Sequence, residues 1–85
     1  MRLADFDCFR SYVEEACNWN HADIDIVMVL EDEAVFKIKN MDTNELDPNK
    51  ATVIAGYVSQ EMGRRGWKVD VFTAGSEVRV AFKEK

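Results

Sequence analysis

Slid against itself by 45 residues, the chain matches its own pattern. Phe6, Phe9, Val13 and Cys17 fall opposite Ala51, Ile54, Val58 and Met62, and Tyr12-Val13 falls on Tyr57-Val58. Ile24-Asp25-Ile26 meets Val69-Asp70-Val71 at the same offset. Dropping one residue in a turn then aligns Glu33, Phe36, Ile38 and Lys39 with Glu77, Val80, Phe82 and Lys83. Each unit, about residues 3–39 and 48–83, reads helix, strand, strand. Self-similarity of this kind restricts architecture before any single residue is considered. The element order stands with or without a duplication, because it rests on apolar spacing inside each segment.

The first helix is expected to begin near Asp5, a residue type that caps free amide groups. It should run to about residue 18 with Phe6, Phe9, Val13, Ala16 and Cys17 on one stripe. Ile24, Ile26, Met28 and Leu30 then alternate with Asp23, Asp25, Val27 and Val29, the two-residue period of a strand. After the acidic turn Glu31-Asp32-Glu33, a second strand from Ala34 to Lys39 puts Ala34, Phe36 and Ile38 on one face. Asp47-Pro48 opens the second helix, with a cap residue followed by proline where its missing amide hydrogen costs nothing. Its stripe is Ala51, Ile54, Ala55, Val58 and Met62, and Gly63 or Gly66 stops it. Trp67 to Thr73, the turn Ala74-Gly75-Ser76, and Val78, Val80 and Phe82 make a second hairpin.

With 85 residues, 47% of them apolar and 32% charged, the chain has the profile of a single globular domain spanning 1–85. The fold class expected is α+β in the order αββαββ, a four-stranded antiparallel sheet with both helices on one face, since each helix has one apolar stripe. No apolar run is long enough to span a bilayer. The N-terminal Met-Arg-Leu-Ala-Asp-Phe-Asp lacks the pattern of an export signal, so a cytoplasmic protein with reduced Cys8 and Cys17 is expected. Cys17 lies on the apolar stripe and Cys8 off it.

Both helices on one face would leave the other sheet face open. Strict alternation assigns to it Asp25, Val27, Val29, Val35, Lys37, Lys39, Lys68, Asp70, Phe72, Arg79, Ala81 and Lys83. An apolar patch of Val27, Val29, Val35 and Phe72, flanked by Lys37 and Arg79, is a surface suited to association with a second copy or with another protein. The expectation is therefore a non-enzymatic protein-binding domain. The alternative uses the acidic first half, where nine acidic and two basic residues fall within the first 33. Glu14, Glu15, Asp23, Asp25, Glu31, Asp32 and Glu33 would present negative charge to the basic groove of a nucleic-acid-binding protein. Small acidic inhibitors carried by phages and other mobile elements work in this way, a likeness of size and charge only.

A nucleic-acid-binding sheet ranks third. Lys37, Lys39, Lys68, Arg79 and Lys83 could meet phosphates, but Phe72 alone is available to stack and the net charge is -5. Gly63-Arg64-Arg65-Gly66 reads as a helix C-terminus, where glycine relieves the backbone and arginine complements the dipole. His21 near Cys17 and Asp23 fits no zinc spacing, and Asp42, Asn44, Glu45 and Asp47 lack the central glycine of a calcium loop. No metal, cofactor or catalytic group is assigned.

Overall fold

The computed structural model describes residues 3–83, with side chains from Phe6 to Lys83. The order is α1 (Leu3–Trp19), β1 (Ala22–Val29), β2 (Glu33–Asn40), α2 (Pro48–Arg64), β3 (Val69–Ala74) and β4 (Glu77–Phe82). The α+β class and the αββαββ order expected from the sequence are those observed. The strands form one antiparallel sheet in the order β1-β2-β4-β3, so each hairpin supplies an edge strand and an inner one.

Local chemistry sets the helix boundaries. Asp47 caps α2 by accepting the Lys50 amide at 3.1 Å, and Pro48 follows at the first helical position. These bonds hold the Asp47 carboxyl below its ordinary pKa, the Lys50 amide contributing most. At the other end Gly66 adopts φ 79°, Trp67 N–H donates to the Met62 carbonyl at 3.0 Å, and Gly66 N–H donates to that of Gly63 at 3.2 Å. This pair of bonds is a Schellman closure, which a left-handed residue permits. The first helix starts at Leu3, so Asp5 falls inside its first turn rather than at the cap.

The core lies between the helices and one sheet face. Phe9, Val13, Ala16 and Cys17 from α1 and Ala51, Ile54, Val58 and Met62 from α2 are buried against Phe36, Ile38, Val78 and Val80. Phe9 meets Phe82 and Trp67 with ring centroids 4.9 and 5.4 Å away, tying α1 to the second unit. Cys8, off the stripe, is still half-buried against this core.

The two units also share a pairing geometry. In the β2–β4 ladder Glu33 pairs with Ala81 and Lys37 with Glu77, while Val35 pairs with Arg79. Adding 44 to one number and subtracting it from the other turns the first pair into the second and leaves the third unchanged. The inner ladder therefore has a local two-fold axis at Val35–Arg79.

Strict alternation fails in β1. Ile24 pairs with Ile38 and Ile26 with Lys37, so Asp25 faces no residue of β2 and forms a bulge. The second hairpin runs without one: Val69 pairs with Phe82, Asp70 with Ala81 and Val71 with Val80. The one-residue offset between the units thus falls at Asp25 rather than in a turn. Ile26, not Asp25, is the structural counterpart of Asp70.

Candidate functional site

The bulge decides what the open sheet face displays. Beyond it, Val27 pairs with Phe36 and Val29 with Ala34, both core-facing residues, so Val27 and Val29 lie on the helix side. The sequence expectation that they belong to the open patch is corrected accordingly. Their places are taken by Ile26 and Met28, which pair with Lys37 and Val35. Leu30 continues the alternation just past the strand, its amide donating to the Glu33 carbonyl at 2.7 Å.

Across the sheet, Met28, Val35, Arg79 and Phe72 form one row. On one side of it lie Ile26, Lys37, Glu77 and Ala74; on the other lie Glu33, Ala81 and Asp70. Ile26 and Met28 are each 40% exposed and Phe72 45%, whereas Val35, flanked by Met28 and Arg79, is 1% exposed. Burying apolar surface of this kind releases about 25 cal/mol per Å².

The centre of the face carries paired charge. Arg79 donates from Nη1 to Glu33 Oε1 at 3.1 Å and from Nη2 to Glu77 Oε2 at 2.7 Å. Those two hydrogen bonds, that of Glu33 first, raise the guanidinium pKa further. Lys83 Nζ lies 2.9 Å from Asp70 Oδ1. Two of the five cations of the nucleic-acid reading are thereby held by carboxylates of the same sheet.

The acidic residues separate into three places. Glu14, Asp23 and Asp25 line an open groove of about 410 Å³ between α1 and β1. Glu14 is bonded there to Arg10 Nε at 2.9 Å. Glu15 lies away from the groove beside the Tyr57 hydroxyl, which burial and then Glu15 push to a higher pKa. Glu31 and Asp32 sit exposed at the hairpin tip, and Glu33 belongs to the sheet face. No single surface gathers the seven.

Two further features have weaker signals in the sequence. Trp19 stands 66% exposed at the end of α1, edge-on to Tyr57 with centroids 5.0 Å apart. His21, at φ 53°, bonds through Nε2 to Asp42 Oδ1 at 2.6 Å, joining the α1–β1 turn to the β2–α2 connection. Among the described residues no group of three or more His, Cys, Asp or Glu side chains is placed to hold a metal ion. No helix among them is long and apolar enough to cross a membrane. Comparison of the chain with family models, with curated proteins and with solved structures returns no match.

Proposed function

We propose that this chain is a binding domain that acts through protein–protein association on its open sheet face, without catalysis. The observation that supports it is the exposure of Ile26, Met28 and Phe72, three large apolar side chains at 40–45%, on a sheet face that neither helix covers. A face of this kind loses water favourably against a complementary surface. The clamp of Arg79 by two carboxylates favours an apolar partner over a polyanion, because a cation already neutralised releases fewer counterions on meeting phosphate.

The acidic-inhibitor reading keeps one observation in its favour, the convergence of Glu14, Asp23 and Asp25 on the α1–β1 groove. Its reach is reduced by the Arg10–Glu14 pair and by the use of Glu33 elsewhere. Charge-driven binding would weaken steeply with salt, whereas apolar burial would not.

Site-specific photo-cross-linking separates the surfaces. The photo-reactive p-benzoylphenylalanine is placed in turn at Phe72 on the sheet and at Trp19 on the helix side. Irradiation in the source cell should give a defined protein adduct from position 72 and none from position 19. Adducts from position 19 alone, or from neither, would rule the sheet face out.

A further inference from the structure

We infer that the occupant of the open sheet face is a second copy of this chain, laid sheet on sheet with its β2 antiparallel to the first. The inference rests on the binding face proposed above and adds the partner and its orientation. Apposed sheets pack about 10 Å apart with strand directions within about 30°. A two-fold axis between two such faces runs in their plane. The row Met28–Val35–Arg79–Phe72, crossing all four strands, divides the face so that this axis can lie along it.

Charge then selects the partner. On the open side of β2 the sequence runs Glu33, Val35, Lys37, acid and base at equal spacing from the row. Rotation about the row places Glu33 of each copy over Lys37 of the other, so both faces are satisfied by one operation. The same operation sets Ile26 over Leu30 and brings each Met28 and each Phe72 to its own counterpart. Arg79 also meets itself, but Glu33 and Glu77 hold each guanidinium within its own sheet. With Lys37 these central charges sum to zero on each face, in a chain whose net charge is -5. Two such faces approach without the repulsion that the whole molecules would otherwise feel.

The size of the face limits the strength. Four strands about 4.8 Å apart and six to eight residues long cover roughly 19 by 23 Å. The two faces together bury on the order of 900 Å², below the range of stable specific interfaces and within that of weak, transient ones. The association expected is weak and reversible, with Kd on the order of 10 µM or above.

Sedimentation from about 1 µM to about 1 mM tests this. The wild type should pass from monomer to dimer. Glu33→Lys alone and Lys37→Glu alone should each weaken self-association about tenfold or more, since like charges then oppose at both pairs. An equimolar mixture of the two variants should associate more tightly, as mixed dimers, than either variant alone, though short of wild type because Glu33→Lys also takes a carboxylate from Arg79. In these the introduced lysine of one chain meets the introduced glutamate of the other, and the retained Lys37 meets the retained Glu33. A variant that fails to fold is bypassed by Met28→Cys, which sits on the axis and should be joined between chains by a short bis-maleimide, able to span the roughly 10 Å between apposed sheets, much faster than Val53→Cys on α2. A wild type monomeric at about 1 mM, a mixture no better than its components, or equal cross-linking rates would overturn the inference. If position 72 then cross-links a protein of another mass, the binding face stands and only the second copy falls. No adduct at all removes both.

Discussion

Cys17 reports on the closure of the core. It is 3% exposed, and burial pushes its thiol up to about 12, the carboxylates of Asp23 and Glu14 adding to the shift. In an unfolded chain the thiol titrates near about 8.5. The folded value is the higher one, so the associated stability is complete below about pH 8.5 and is lost as pH rises through the folded value. Urea midpoints should therefore fall between about pH 9 and about pH 12, and fall less steeply in Cys17→Ala, where this titration is absent. At about pH 8 alkylation of Cys17 should proceed only through unfolding. Labelling as fast as that of an exposed thiol would contradict the buried, protonated state.

At the scale of elements, the sequence disclosed most where chemistry is specific to a position. Asp47-Pro48 marks the start of α2 because a cap oxygen and a missing amide belong together only there, and the stripe from Ala51 to Met62 matches the buried side residue for residue. In β1 the same reasoning loses its grip. After Asp25 every residue to Leu30 is apolar, so hydrophobicity cannot say which alternate set faces the helices, and a single unpaired residue reverses the answer. Exposed Ile26 and Met28 were hidden for that reason, and the identity of Asp25 with Asp70 concealed the extra residue further.

The bulge also makes an unusual deletion tolerable. Removing one residue from a strand ordinarily turns every later side chain to the wrong face. Removing Asp25 should instead join Ile24 to Ile26 in the register they already hold, so the variant should keep its fold and a Tm within a few degrees, whereas removing Val80 from the bulge-free inner strand β4 should unfold it. β1 is an edge strand, however, and the deletion leaves an unbroken apolar run from Ile24 to Leu30 with neither kink nor carboxylate. Faster aggregation on concentration is expected of that variant, measured by light scattering against the wild type.

For the whole molecule, folding does not depend on the proposed association. Its accessible surface of 5158 Å² is close to the roughly 5,200 Å² expected of a folded monomer of 9.8 kDa, so one chain closes its own core. Dilution below the Kd of the proposed dimer should leave circular dichroism unchanged. The local two-fold axis at Val35–Arg79 adds a second route to a dimer, of a different kind. Since the β2–β4 ladder joins two units of like shape, the first unit of one chain could pair with the second unit of another and keep every ladder intact. What discourages the exchange is the connection 41–47, folded back by the Leu46–Lys39 bridge and by the Asn40 side chain, which accepts the Asp42 amide at 2.8 Å. Shortening it by four residues should strain the return path and convert the protein into a domain-swapped dimer. Such a dimer would survive dilution for hours, because separating it requires both chains to open, and its hinge would be the one segment that neither unit repeats.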